Sequence, residues 1–256
     1  MDVCLIGAGN LATQLGLALS EKGHKVVQVW SRTTQSAAGL AAKLECPYTI
    51  ELSLIYSRAD IYIIAVSDNA IEEVLGMRSW GNPLVVHTAG SIPMDILAPY
   101  CTNFGVFYPF QTFTAAKKVE FDHIPVCIEA STPQNLELLS VLAHSLSQNI
   151  RFVDSVQRQQ IHLAAVFVCN FVNHLYSIGE ELLLEKGLDF DLLKPLILET
   201  ADKVVAHSPQ SSQTGPAIRN NTNVINKHLA LLANHPDLKN IYALISERII
   251  QKHKKL

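Results

Sequence analysis

The feature that most constrains this chain is a glycine-rich turn directly after its first apolar run. Asp2 to Ile6 is predicted to form a short strand, and it leads into the sequence Gly7-Ala8-Gly9-Asn10-Leu11-Ala12. Leucines and alanines then repeat at helical spacing as far as Gly23, a residue type typical of helix ends. The predicted order is therefore strand, tight turn and helix.

This turn has the chemistry of a dinucleotide-binding site. Gly7 permits the sharp turn, and Gly9 has no side chain to keep the backbone away from a pyrophosphate. The backbone N–H groups of Asn10 and Leu11, at the start of the helix, are predicted to bind phosphate oxygens. Glycine-rich turns also occur in ordinary loops, but a position between a strand and an amphipathic helix favours nucleotide binding.

The second predicted strand spans Lys25 to Trp30. The residues that follow it determine whether NAD or NADP binds. An NAD site usually carries Asp or Glu here, to bind the ribose 2′-hydroxyl. This chain has Ser31, Arg32 and Thr33 instead. One guanidinium and two hydroxyls favour a 2′-phosphate, which a carboxylate would repel. We therefore predict NADP as the cofactor. The alternative is that Arg32 is an exposed loop arginine.

The hydrophobic pattern divides the chain into two parts. Through residue 153, predicted strands and helices alternate, which is typical of the α/β class with a Rossmann-type doubly wound, mostly parallel sheet. From residue 154 only helices are predicted, and the first is one long helix over 155–186. We predict an NADP-binding domain over 1–153 and a helical domain over 154–256, which contributes to dimerisation and the substrate cleft.

Three further loops are predicted at the carboxyl ends of strands, where ligands bind in open α/β sheets. The candidate residues on them are Val66, Ser67, Asp68, His87, Ser91 and Gln111. The first three are assigned to the cofactor, although Asp68 could instead cap the next helix. Ser91 and Gln111 are assigned to substrate. His87 either contacts substrate or nicotinamide as a catalytic group, or is a satisfied core histidine.

The long predicted helix carries a polar stripe. At about 100° per residue, six polar side chains fall within an arc of roughly 80°: Gln159, His162, Asn170, Asn173, Ser177 and Glu180. The stripe faces either solvent or the cleft, and amides with an imidazole, rather than Lys and Glu, favour the cleft. We predict His162 as the proton donor, with Asn170 orienting the substrate and Asn173 beside it.

Composition excludes several classes of protein. A formal net charge of −3, with only the C-terminal Lys252-His253-Lys254-Lys255 as a basic run, argues against nucleic-acid binding. The five cysteines form no C-x-x-C pair and are predicted to be free thiols. The longest apolar run is too short to span a bilayer, and no signal peptide or metal motif is recognised. We expect a cytoplasmic protein with no membrane partner and no metal.

The first half resembles the NADP-binding domain of pyrroline-5-carboxylate reductase and deazaflavin-dependent NADP oxidoreductase relatives. The resemblance depends on the glycine turn, Ser31-Arg32-Thr33, the strand end at Ile64 to Asp68, and His87 to Ser91. The resemblance of the second half points to a narrower group of proteins. The stretches Tyr108 to Phe113, His162 to Asn170 and Thr214 to Arg219 resemble a group of NADP oxidoreductases that pair a Rossmann-like domain with a helical C-terminal domain of unknown function.

The resemblance covers essentially the whole chain and implies a homodimer formed largely by the helical domains. In the wider superfamily of β-hydroxyacid dehydrogenases, the long helix supplies a catalytic Lys four residues before an Asn. If Asn170 is that Asn, the Lys position holds Val166, so the 3-hydroxyacid mechanism does not carry over. We expect an NADP(H)-dependent oxidoreductase acting on a small carbonyl or imine. The alternative is a non-catalytic NADP(H)-binding sensor or adaptor.

Overall fold

The computed structural model describes residues 1–114 and 117–253, so Lys254 and Lys255 of the predicted basic tail lie outside the described residues. Within this part of the chain, eight strands form one sheet in the order β3-β2-β1-β4-β5-β6-β7-β8. The strands are β1 (Asp2–Ile6), β2 (Lys25–Trp30), β3 (Tyr48–Thr49), β4 (Ile61–Ile64), β5 (Leu84–His87), β6 (Phe104–Pro109), β7 (Val126–Ala130) and β8 (Ile150–Phe152).

The pairing of these strands confirms the predicted fold class. Every neighbouring pair is parallel except β6 and β7, which run antiparallel. The chain builds β1, β2 and β3 outward on one side and then returns to place β4 on the other side of β1. Ligands of open α/β sheets bind at such a reversal of strand order, outside the carboxyl ends of the strands. The topology therefore predicts a ligand site at the carboxyl ends of β1 and β4.

Helices cover both faces of the sheet, because its central strands are apolar on both sides. Leu5 and Ile63 belong to one buried cluster, whereas their neighbours Ile6 and Ile64 belong to the other. The α-helices before residue 153 are α1 (Asn10–Glu21), α2 (Thr34–Leu44), α3 (Ile71–Gly76) and α4 (Pro133–Leu146).

The long predicted helix is present, but it is not uniform. It runs as α5 (Ser155–Ala165), a π-helical segment over Val166–Phe171, and α6 (Val172–Leu184). The helix begins with a capping box, which Asp154 forms with Gln157. A π turn is wider than an α turn, so it rotates all later side chains away from a 100° spacing. The prediction of one polar stripe along the whole helix is therefore wrong beyond Ala165.

The chain forms two compact units, Met1–Cys169 and Asn170–Leu256. The second unit contains α6, α7 (Lys194–Ala206), α8 (Thr222–Leu231) and α9 (Pro236–His253). The predicted domain boundary after residue 153 marks the end of the α/β pattern and stays a prediction.

The continuous helix Ser155–Leu184 is also long and apolar enough, by length and composition alone, to cross a membrane. Its most apolar window has a mean hydropathy of 1.4 and contains no residue buried within the chain. The core helices of soluble proteins reach similar length and composition, although they are mostly buried.

Candidate functional site

A cleft of about 240 Å³ lies at the carboxyl ends of β1, β2 and β4. Six of the predicted cofactor residues line it, namely Gly7, Gly9, Ser31, Arg32, Val66 and Ser67. Six residues that were not predicted to contact the cofactor also line it, namely Ala8, Trp30, Ser36, Ala65, Ala70 and Val74. The structure thus brings the glycine turn, the Arg32 loop and the end of β4 together around one space.

The glycine turn has the shape that a pyrophosphate requires. Gly7 has a φ of +125°, and a Cβ atom there would collide with the carbonyl oxygen of Ala65. At Gly9 a Cβ would meet no atom within 4 Å, so the backbone here borders open space. Gly9 caps α1 without a side-chain hydrogen bond, which leaves N–H groups of the first turn for ligand oxygens. These residues fit a dinucleotide phosphate.

The other end of the cleft combines a cation with a helix N-terminus. The side chain of Thr33 caps α2, since its hydroxyl accepts the Ser36 N–H at 3.4 Å and donates to the Ser36 hydroxyl at 2.9 Å. Ser36 itself lines the cleft with Ser31 and Arg32. Its place one turn after a capping Thr was the signal that could have identified it. A guanidinium beside the positive end of a helix dipole suits a phosphate dianion.

The remaining predicted cofactor residues make other contacts. The Asn10 side chain donates to the carbonyl of Phe113 at 3.2 Å, and Leu11 packs against the core. Their predicted backbone contacts with pyrophosphate stay predictions. The Asp68 carboxylate accepts a hydrogen bond from the Ser91 hydroxyl. The next helix, α3, begins at Ile71 with Ala70 as its N-cap and has no side-chain cap hydrogen bond within the described residues, so the alternative role of Asp68 as its cap is wrong.

A second cluster forms where the loop after β5 meets α5. The Tyr108 hydroxyl and His162 Nδ1 are 3.1 Å apart. Both rings pack against Gly90, where a Cβ atom would lie 2.6 Å from His162 Nδ1 and 2.8 Å from Tyr108 Cζ. Tyr108 is a functional candidate that we did not predict from sequence, although it opens one of the stretches that carry the family resemblance. Its position at the carboxyl end of β6 was the available signal.

The first turns of α5 are anchored firmly to the sheet. Arg158 is fully buried and pairs with Glu129 on β7, and it also donates to the carbonyl of Ile92 at 2.7 Å. Glu129 also accepts from the N–H of Ser155 at 3.0 Å and from its hydroxyl at 2.8 Å. Gln159 donates to the carbonyl of Ser91 at 3.0 Å. These contacts fix the position of His162, one turn further along the helix.

His87 lies inside the protein with no exposed surface. Its Nδ1 accepts the N–H of Ala89 at 3.2 Å, which shapes the loop that leads to Gly90. Burial, helped by the nearby positive charge of Arg158, lowers its pKa to about 4. The ring is therefore neutral at neutral pH. This geometry favours the alternative of a core histidine.

The other predicted substrate residues are exposed. Gln111 follows β6, and its side-chain oxygen accepts the N–H of Thr112 at 2.9 Å. Asn170 and Asn173 belong to the second compact unit, and their assignment to substrate stays a prediction. In residues 1–114 and 117–253, no group of three or more His, Cys, Asp or Glu side chains could hold a metal ion.

Fold and cleft together define a Rossmann-type nucleotide-binding protein with an added helical region. Residues 2–90 match the family described as NADP oxidoreductase, coenzyme F420-dependent, and residues 124–249 match a domain of unknown function, DUF2520. No curated protein matches the chain.

Solved structures identify the family. A candidate NADP oxidoreductase from Bacteroides fragilis is 46% identical, with a TM-score of 0.91 and 98% of each chain covered. This chain therefore belongs to the same family of NADP oxidoreductases, which confirms the predicted family and, at the level of the family, the predicted cofactor.

More distant structures share the fold. A protein from Thermotoga maritima is 20% identical with a TM-score of 0.82, over 98% of this chain and 99% of that one. A reductive aminase from Aspergillus terreus, crystallised with NADPH and ethyl-5-oxohexanoate, is 14% identical with a TM-score of 0.73, over 98% of this chain and 94% of that one.

Proposed function

We propose that this protein is an NADPH-dependent reductase of a small carbonyl or imine. The observation that carries the proposal is that the cofactor cleft and the Tyr108–His162 pair are connected by contacts along the carboxyl ends of the strands. Ser67 lines the cofactor cleft, its neighbour Asp68 is bonded to Ser91, and Ser91 adjoins Gly90 with the Tyr108–His162 pair. A nucleotide cleft and a group of proton-carrying side chains thus lie along one edge.

The chain's own residues have separable tasks in this reaction. Bound NADPH supplies the hydride. Backbone N–H groups near Gly9 hold the pyrophosphate, and Arg32 with Ser36 holds the 2′-phosphate. The Tyr108–His162 pair supplies the proton that the reduced substrate needs. The fold shared with a reductive aminase supports a C=O or C=N substrate.

Turnover tests the proposal directly. NADPH is mixed with a panel of imines, 2-oxoacids and aldehydes, and the absorbance of the reduced nicotinamide is followed. We expect oxidation of NADPH with at least one member, and a fall in kcat of about 100-fold or more in His162→Ala with NADPH affinity unchanged. Tight NADPH binding without turnover on the whole panel would instead support a non-catalytic sensor.

We also propose that two copies associate through the helical unit. In α6, α7 and α8 no residue is buried within the chain. Leu198 and Val205, seven residues apart on one face of α7, are 66% and 87% exposed. A helical unit that leaves this much apolar surface uncovered needs a partner. We assign the exposed surface of Ser155–Leu184 to the same dimer rather than to a membrane, because Arg158 in its first turns is paired inside the protein.

Val205→Glu is expected to weaken this dimer by about 30-fold or more, because a charge would be buried at the interface. Sedimentation at several concentrations measures the mass, which should be twice 28.2 kDa for the wild type. Leu54→Glu is the matched control, since Leu54 is 63% exposed in the first unit. Circular dichroism checks that each variant is folded. Equal dimer stability in a folded Val205→Glu and the wild type would contradict the assignment.

We infer a cytoplasmic location from the cysteines. All five thiols are free, and Cys4, Cys101 and Cys127 are buried. Unpaired, buried thiols are typical of proteins in a reducing compartment.

A further inference from the structure

Tyr108 and His162 form a polar pair that the cofactor cleft does not use. Their rings meet edge to face, with centroids 6.3 Å apart and planes at 65°. Both side chains are partly exposed, so a ligand and solvent have access to them. Gly90 presents only backbone to the pair, and any larger residue there would displace one of the rings. The pair is therefore packed tightly against the loop after β5.

The hydrogen bond decides which member of the pair can pass a proton onward. His162 Nδ1 lies 3.1 Å from the Tyr108 hydroxyl, so a proton on that nitrogen is directed at the phenol oxygen and not at a ligand. The phenol oxygen can accept this proton while its own O–H points elsewhere. In this arrangement the Tyr108 O–H is the group directed at a ligand, and His162 Nδ1 donates to the phenol oxygen.

The surroundings keep the phenol protonated until a reaction draws on it. Burial raises the pKa of Tyr108 to about 12. The negative charge of Asp68 acts in the same direction, and the positive charge of Arg158 opposes it. A hydroxyl of this kind gives up its proton readily only if a neighbouring acid neutralises the phenolate. An imidazolium at hydrogen-bond distance is such an acid.

We propose that Tyr108 is the catalytic proton donor of this enzyme and that His162 returns a proton to it. The proposal rests on the reductase function proposed above. When the substrate carbon receives a hydride from the bound cofactor, the O–H bond of Tyr108 would break and its proton would form a bond to the substrate oxygen or nitrogen. The phenolate takes the Nδ1 proton of His162, and the neutral imidazole regains a proton from solvent.

The first test compares Tyr108→Phe with the wild type on a substrate that the panel identifies. We expect kcat to fall about 100-fold or more, with KM and NADPH affinity within twofold of the wild type. His162→Gln should lower kcat and change the solvent deuterium isotope effect on it, which a purely structural role would not do. Tyr56→Phe alters a residue beside Lys25 and Val26, at the amino end of β2 and away from the proposed site, and should leave kcat unchanged. Wild-type kcat in Tyr108→Phe overturns the relay and leaves the reductase function standing.

The second test does not need turnover. Nitrogen NMR of the full chain with bound NADP⁺ reports the Nδ1 and Nε2 resonances of His162. Loss of the Tyr108 hydroxyl in Tyr108→Phe should shift Nδ1 much more than Nε2, whereas Tyr56→Phe should shift neither. Unchanged Nδ1 overturns the relay alone. A wild-type protein that turns over no member of the panel overturns the reductase function and the relay with it.

Discussion

Glu129→Gln is expected to lower the free energy of unfolding by about 3 kcal/mol. The variant keeps the shape of the side chain but leaves the guanidinium of Arg158, which has no exposed surface, without its counter-charge. An uncompensated charge inside a protein is costly because no solvent replaces the lost partner. The same carboxylate accepts two hydrogen bonds from Ser155, at the first turn of α5. Equilibrium denaturation in urea measures the loss.

Two comparisons separate the buried pair from charge in general. Lys22→Met breaks an exposed ion pair with Asp122, and we expect it to change stability by less than about 1 kcal/mol. The double variant Glu129→Gln, Arg158→Met removes both charges and should recover much of the stability that Glu129→Gln loses. Equal losses in Glu129→Gln and Lys22→Met would contradict the role of this pair as the anchor of α5.

Much of the fold was predictable because it depends on short-range patterns. The turn at Gly7 to Ala12 needs only the strand before it and the helix after it. The unbroken apolar run at Ile61 identifies a strand covered on both faces, and all four residues of β4 are buried. The six predicted residues that line the cofactor cleft follow from strand ends, since parallel strands bring their carboxyl ends to the same edge.

The second cluster was not predictable from local patterns, because distant contacts create it. Arg158 lies one turn into a helix, where a charged residue is normally exposed, and only its pairing with Glu129 on a distant strand explains its burial. Tyr108 and His162 are 54 residues apart and meet through Gly90. The π-helical segment at Val166 likewise breaks a periodicity that the sequence continues. A single sequence contains no signal that distant residues such as Arg158 and Glu129, or Tyr108 and His162, come into contact.

Arg32→Ala is expected to raise the Kd for NADPH by about 30-fold or more and to change the Kd for NADH less than about threefold. Arg32 lines the cleft beside Ser36, at the N-terminus of α2. A charge-assisted bond to a phosphate contributes about 2 kcal/mol, and NADH lacks the 2′-phosphate that forms it. The Kd of Arg32→Lys for NADPH should lie between the values for the wild type and Arg32→Ala, because lysine keeps the charge and loses the planar guanidinium. Titration calorimetry at fixed ionic strength measures both affinities.

The loss of NADPH affinity caused by Arg32→Ala should shrink as salt rises, because ions screen an exposed charge pair, whereas the small effect of the same variant on NADH affinity should not change with salt. Arg58→Ala is the matched control, since Arg58 is an exposed arginine in the segment that precedes β4. Equal losses for NADPH and NADH in Arg32→Ala would mean that the guanidinium stacks on the adenine, which both cofactors share, and does not bind the phosphate. In that event the helix N-terminus at Ser36 would be the remaining group that selects the 2′-phosphate, and Ser36→Asp should then favour NADH because its carboxylate repels the phosphate.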